Sequence, residues 1–331
     1  SRRRAIAIFG ATAGLSISGM QLARGAVADS HQGKIFTWEG YALGAQSKIQ
    51  LAHYTRDGAE RLVDMAVAEI QRLEKIFSLK IVDSELSILN REGRLSRPSH
   101  DMLALLTEAK RYGDITGGAF EITVQPLWEL YSEHFRGNID SGRGPDQADI
   151  KRALRLVDYR LIEVNPLFVR LGREGMQVTL NGIAQGYITD KVSDLLREHG
   201  VSNVLVSLGE TRALGGHPEG RPWLVALRDP LFPERVARTI NLDNMAVATS
   251  GGYGTQFDRS GHFHHLFDPR TGQSAWHHVG VSVTAPRATA ADALSTALPE
   301  LLVSDSASNA WVIDGSHTTT GKPILANDPH L

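Results

Sequence analysis

Apolar residues recur every three or four positions at Leu62, Ala66, Ile70, Leu73 and Phe77, a spacing that predicts an amphipathic helix over 59–77. A second helix is predicted over 99–112, with Ser99 as its N-cap and Gly113 as its stop, and a third near 147–156. Shorter apolar runs predict two strands around Gly44 over 34–54 and a hairpin over 160–171 that turns at Asn165-Pro166. Two strand–helix–strand units follow. The first comprises Val178–Leu180, a helix over 183–199 and Asn203–Leu208; Ile188, Val192, Leu195 and Leu196 line one face of its helix, and Gly200 ends it. The second comprises Val279–Ala285, a helix over 289–302 and Trp311–Ile313. Strands near 223–228, 239–242 and 245–249 and a hairpin near 255–267 lie between the two units. Hairpins mixed with helical connections predict an α+β fold rather than a doubly wound parallel sheet. Residues 137–146, rich in glycine and acid, read as an internal joint, and 315–331 as a loose tail.

The first residues depart from this pattern. Arg2-Arg3-Arg4 precedes a mildly apolar stretch rich in Ala, Gly and Ser, and Ala26-Val27-Ala28 offers small residues for cleavage after Ala28. That is the layout of an export signal over 1–28, and the arginine pair after Ser1 gives it a twin-arginine character. The expected location is the periplasm, with no stable membrane anchor once the leader is cut. Without its four arginines the 35 basic residues fall to 31 against 37 acids, a net charge of −6. A mildly acidic domain without a basic stripe is not expected to bind nucleic acid. The sequence contains 0 cysteines, which excludes disulfides, thiolate metal sites, cysteine nucleophiles and a lipid-modified cysteine within it.

Several segments carry candidate chemistry. Asn181-Gly182-Ile183-Ala184-Gln185-Gly186-Tyr187 joins a predicted strand to a helix, and serves either as a tight turn or as a place where a ligand approaches backbone. Ala248-Thr249-Ser250-Gly251-Gly252-Tyr253-Gly254 is a second glycine-rich turn, of the kind that cradles phosphate or simply reverses the chain. Five of 13 histidines fall within 17 residues (His262, His264, His265, His277, His278), but their spacing fits neither one helix face nor one strand face. One working histidine among surface ones is therefore expected, rather than a zinc site. Asp292 and Thr296 stand four apart near a predicted helix start and share a face, either as a pair of hard oxygen ligands for Mg²⁺ or as a helix cap and a buried Thr.

Taken together these segments resemble the ApbE family of flavin transferases over about residues 35–315. Ser84-Glu85-Leu86-Ser87-Ile88-Leu89-Asn90 is similar to the family's S-E-[LI]-S-x-L-N, and Gly118 to Leu127 to G-A-F-D-x-T-V-x-P-L. Asn181–Tyr187 resembles G-G-I-A-K-G-Y. Ala248–Gly251 with His265–Gly272 resembles A-T-S-G followed by H-x-x-D-P-R-T-G, and Ala291–Ala297 resembles A-D-A-L-x-T-A. The wording Asn181-Gly182-Ile183-Ala184-Gln185-Gly186-Tyr187-Ile188-Thr189-Asp190, with the twin-arginine start, looks most like the NosX branch, associated with maturation of nitrous oxide reductase.

The resemblance implies an ApbE-like fold over 34–315 and a Mg²⁺-dependent enzyme. It would split FAD, attach FMN through a phosphoester to a Thr or Ser of a partner flavoprotein (a NosR-like membrane protein in the NosX case), and release AMP. By position it places the metal on Gly182, Asp292 and Thr296 and the base on His265. It places FAD against Leu43, Gly118, Ala119, Phe120, Thr179, Gln185, Ser250 and Leu266. Three departures touch FAD-facing positions: Leu43-Gly44-Ala45 replaces M-G-T, Thr179 and Gln185 replace an acid and a Lys, and Gly209-Glu210-Thr211 replaces G-G-D. The rival readings are a non-enzymatic FAD-binding or delivery factor for maturation and a His-rich metal chaperone.

Overall fold

The computed structural model describes residues 8–10, 33–139, 142–232, 234–276, 278–301, 308–313 and 324–329. The leader read at 1–28 lies outside the described residues, apart from strand β1 (Ile8–Gly10). Strands β2 (Lys34–Ala42) and β3 (Ala45–His53) are joined by Leu43 and Gly44, both at positive φ (54° and 77°), as a two-residue hairpin turn requires. Helix α1 (Arg56–Phe77) starts at Thr55, whose hydroxyl accepts from Gly58 N–H at 3.2 Å, and it buries Leu62, Ala66, Ile70, Leu73 and Phe77.

Helix α2 (Glu85–Glu92) is capped by Ser84 and closed by left-handed Gly93, and leads into β4 (Arg94–Ser96). Helix α3 (His100–Ile115) has Ser99 as its N-cap, as expected, but it runs through Gly113 instead of stopping there. Tyr159 is the reason for that glycine: its ring atoms lie 2.6–2.8 Å from where a Cβ would sit. Helices α4 (Gln125–Phe135) and α5 (Gln147–Leu154) share a core of Leu127, Tyr131, Phe135 and Ile150 with Phe257 and Phe267. The segment read as a joint is pinned to that core, with His134 Nε2 donating to the Arg143 carbonyl at 2.9 Å and Gly144 against Phe263. The predicted hairpin forms as β5 (Ile162–Asn165) and β6 (Phe168–Leu171), and β4 joins it in the order β4-β6-β5.

Helix α6 (Ala184–Glu198) is followed by β7 (Val204–Leu208), β8 (Glu210–Leu214), the β9 (Trp223–Arg228) and β10 (Val236–Leu242) hairpin, and β11 (Ala246–Gly251). Then come β12 (Gly280–Ala285), α7 (Ala288–Leu301), β13 (Ser308–Ile313) and β14 (Ile324–Pro329). The expected loose tail thus contributes a strand. Among the described residues the main sheet has nine strands in the order β1-β2-β3-β7-β8-β11-β12-β13-β14; every pair is antiparallel except β12–β13, which α7 connects. The fold is α+β. Alternation along β7 separates its faces. Val204, Val206 and Leu208 face the core under α1 and α6, while Leu205 packs with Trp223, Leu242 and Val247 beneath β9–β10.

Two further expectations are corrected. Val178–Leu180 is extended but joins no ladder, because Asn90 takes both backbone groups of Val178 (2.7 and 2.8 Å) and Thr179 N–H donates to the Ile122 carbonyl at 2.8 Å. The 255–267 stretch is not a two-stranded hairpin but a loop with one isolated bridge, Gln256 to His264. Among the described residues no helix is long and apolar enough to cross a membrane.

Candidate active site

The site is built where α6 and α7 cross. Gly186 N–H donates to Asp292 Oδ2 at 2.9 Å, and a Cβ on Gly186 would fall 2.4 Å from the Ala288 carbonyl oxygen, so only glycine lets the helices approach this closely. Four residues earlier, Gly182 meets Thr296: a Cβ there would lie 2.8 Å from Thr296 Oγ1. Four residues later, Asp190 accepts the Ala288 and Thr289 N–H groups, each at 2.9 Å. Within α6 and α7, the step of four from Gly186 to Asp190 is matched by the step of four back from Asp292 to Ala288, as antiparallel helical faces demand, and Gly182 in the turn before α6 continues the line to Thr296. The proposed metal residues Gly182, Asp292 and Thr296 are thereby brought together.

Asp190 anchors this crossing. It is 0% exposed, caps the start of α7, and is paired with Arg212 (2.9 Å) and Arg287 (3.2 Å). Asp292 is 3% exposed and has no cation partner among the described residues; burial foremost, with the charge of Asp190, pushes its carboxyl up to about 7 against the opposing Gly186 N–H. Ser250, at the end of β11, reaches Ser295 Oγ (2.8 Å) and Thr296 Oγ1 (3.3 Å), so it supports the Thr296 hydroxyl as well as lining the turn.

His265 sits beyond that strand. Its Nδ1 lies 3.1 Å from the Thr255 carbonyl, and its ring is 3.3 Å from where a Gly254 Cβ would be. A carbonyl only accepts, so Nδ1 carries the hydrogen and Nε2 is left as the acceptor. Burial holds the imidazole below its usual 6.5, which keeps it neutral. Gly254, beside His265, is four residues from Ser250, which touches Thr296, a span of at most about 14 Å of extended chain. Aromatic packing of Phe257, Phe263 and Phe267 on Tyr131, and the Tyr131 hydroxyl bonded to the Gly272 carbonyl at 3.1 Å, hold this loop. The Asp268–Gly272 turn closes on itself through Asp268 Oδ1, which accepts from Arg270 N–H at 2.9 Å.

The other histidines divide. His264 is buried and held down to about 4 chiefly by burial, and His262 is exposed. His277 lies outside the described residues. Among the described residues no group of three or more His, Cys, Asp or Glu is arranged to hold a metal ion.

The FAD-facing candidates surround the crossing unevenly. Gln185 donates to the Leu43 carbonyl at 3.3 Å and packs on Gly209; Leu43 N–H donates to Glu74 Oε1 at 2.8 Å. Thr179 lies two residues before the Asn181 N–H that its hydroxyl accepts at 3.3 Å. Gly118 is left-handed (φ 86°) and Ala119 half-buried, whereas Phe120 is in the core at 2% exposure against Tyr112, so only its backbone can face a ligand. Leu266 is half-buried, its carbonyl tied to Ala275 N–H at 2.8 Å. A cavity of about 590 Å³ lined by His53, His199, His217 and Arg221 lies at the opposite end of β7 and includes none of these residues.

The motif comparison passes through Asp190 and Glu210 without giving either a role in the site. Asp190 closes the Asn181–Asp190 segment one helical turn after Gly186, on the same face, which is its only sequence signal. Glu210 is one of two charged residues, with Arg212, on the buried positions of β8.

The architecture is that of the solved flavin transferases. The crystal structure of the ApbE protein from Thermotoga maritima matches with a TM-score of 0.73 at 28% identity, covering 82% of this chain and 88% of that one. The apo flavinyl transferase ApbE of Pseudomonas stutzeri matches at 0.68 and 29%, covering 82% and 85%. The sequence is also 31% identical over 280 residues to the FAD:protein FMN transferase of Haemophilus influenzae, 80% of each chain, and 34% identical over 250 residues to that of Treponema pallidum, 69% of this chain and 68% of the relative. The family profile described as ApbE family matches residues 43–310, and the chain belongs to that family.

Proposed function

We propose that this protein is an FAD:protein FMN transferase working at the α6–α7 crossing, with FAD as substrate and a Thr or Ser of a flavoprotein as acceptor. The observation that carries the reading is the convergence of Asp292, Thr296 and Gly182 at the α6–α7 crossing, in a chain whose relatives bear that activity by name.

The donor set fits a divalent ion of the Mg²⁺ type. It offers one carboxylate, one hydroxyl and backbone oxygen, all hard ligands, and Asp292 is a buried acid with no cation among the described residues to balance it. Asp292, Thr296 and the Gly182 carbonyl would hold it. When bound, such an ion supplies charge neutralisation to the pyrophosphate and to the departing AMP. The chain's own residues do the rest. His265 Nε2 accepts the proton of the incoming hydroxyl, because Nδ1 is committed to Thr255. The hydroxyl oxygen bonds to the phosphorus on the riboflavin side, the bond to the AMP phosphate breaks, and the bridging oxygen leaves with AMP. Gln185, Leu43 and the Gly118–Phe120 turn flank the crossing and would orient the dinucleotide.

The finer assignment rests on sequence. The NosX-like wording of Asn181–Asp190 supports a role in maturing the nitrous oxide reduction system, with a NosR-like membrane flavoprotein as acceptor. The twin-arginine-type start supports export to the periplasm.

The test is incubation with FAD, Mg²⁺ and an acceptor domain, read as covalent flavin fluorescence in a denaturing gel. Transfer by the unaltered protein and none by Asp292→Ala is expected. Tight FAD binding without any transfer would overturn the reading in favour of an FAD delivery factor.

A further inference from the structure

Glu210 is the first residue of β8 and is 8% exposed. Its neighbour two along, Arg212, shares its face of the strand and reaches Asp190 on α6, so Glu210 also faces the helices. Arg212 is committed to Asp190 and Asp194, and among the described residues no cation pairs with Glu210. Its carboxylate accepts one long hydrogen bond, from Thr249 N–H at 3.3 Å. Buried charges are normally paired or bound to metal, and a lone buried acid held by one backbone N–H is an expensive way to fill space.

Two adjacent-residue steps join Glu210 to the cation set. Thr249 bonds Glu210, and the next residue, Ser250, bonds Thr296. Gly209, which precedes Glu210, packs on Gln185, and the next residue, Gly186, bonds Asp292.

We propose that Glu210 is a fourth protein group of the cation site, a second carboxylate that shares the ion's charge with Asp292. This rests on the cation reading of Asp292, Thr296 and Gly182. It also gives a use to the departure at Gly209-Glu210-Thr211, because an acid at the start of β8 stands next to the ion rather than out on the dinucleotide.

The test is Mn²⁺ titration of the full chain, with free Mn²⁺ followed by electron paramagnetic resonance, alongside thermal melting with and without the ion. In Glu210→Gln, which keeps the shape and the Thr249 hydrogen bond, Mn²⁺ affinity should fall at least fivefold. Its metal-free form should melt no lower than the unaltered protein, since a buried acid held by one long hydrogen bond has been replaced by a neutral amide. Glu210→Asp, which keeps the charge, should bind Mn²⁺ more tightly than Glu210→Gln. A less than fivefold loss in Glu210→Gln, or no advantage of Asp over Gln, would show Glu210 to be structural only and overturn the proposal. Failure of the unaltered protein to bind Mn²⁺ would overturn the underlying cation reading as well, which separates the two failures.

Discussion

Asp190 of α6 holds the start of α7 through Thr289, whose N–H and hydroxyl both donate to Asp190 Oδ2, at 2.9 and 2.6 Å. The next turn of α7 carries Asp292, so the helix that presents the carboxylate is set by a residue that never meets substrate. Asp190→Ala removes the cap and takes from Arg212, which is 7% exposed, its fully buried partner, leaving it the more exposed Asp194 at 3.1 Å. Breaking a buried pair from one side typically costs about 3–5 kcal/mol. Urea unfolding should show a loss of that order, and a loss under about 1 kcal/mol would mean the crossing is held by packing alone.

Gly186→Ala tests the closeness of the helices. Its Cβ would fall 2.4 Å from the Ala288 oxygen, so α7 must move away and take Asp292 with it. Overpacking of this kind costs about 1–3 kcal/mol. Misplacing a working group by about 1 Å can cost about 100-fold in rate. The variant should remain folded by circular dichroism while its flavin transfer falls by about that factor.

His265→Ala should lower the transfer rate by about 10²–10⁴-fold, the usual worth of a general base, with FAD affinity nearly unchanged. Protonated imidazole cannot accept, so activity is lost as pH falls through the His265 pKa. Burial places that midpoint below 6.5. A pH–rate profile with an acid limb centred above 6.5 would contradict this assignment.

His264 makes a stability prediction. Its folded pKa is held down to about 4 from 6.5, chiefly by burial. The stability it contributes is fully present above 6.5 and is lost as pH falls toward 4, because the unfolded chain takes up the proton first. Between pH 7.5 and 5 that amounts to about 2 kcal/mol, at about 1.4 kcal/mol per pKa unit. Urea unfolding of the unaltered protein should show this fall, and His264→Asn should lack most of it.

Which of these features sequence reveals depends on what the local pattern reports. Repeated burial on one face was enough for α1 at Leu62 to Phe77. At Val178–Leu180 the same kind of signal misled. Val178 and Leu180 are buried, yet their segment bonds to Asn90 and Ile122 rather than to a strand. Alternation records burial, not the hydrogen-bond partner. Helix α2 is too short for a period to show, and Gly113 reads as a stop because nothing local announces the Tyr159 ring above it. In the site, Asp292 and Thr296 are legible as a four-residue pair on one helix. Asp190 and Glu210 reach them only through the packing of α6 and β8 against α7, which no spacing along the chain encodes.

The most direct test of the central claim is the intact mass of an acceptor flavoprotein domain after incubation with the enzyme, FAD and Mg²⁺, with AMP measured in the same sample. The expected result is an acceptor heavier by one phosphoester-linked FMN and one AMP released per flavin attached, both abolished in Asp292→Ala. An acceptor of unchanged mass in the presence of FAD-loaded, folded enzyme, or flavin attached without AMP, would contradict it.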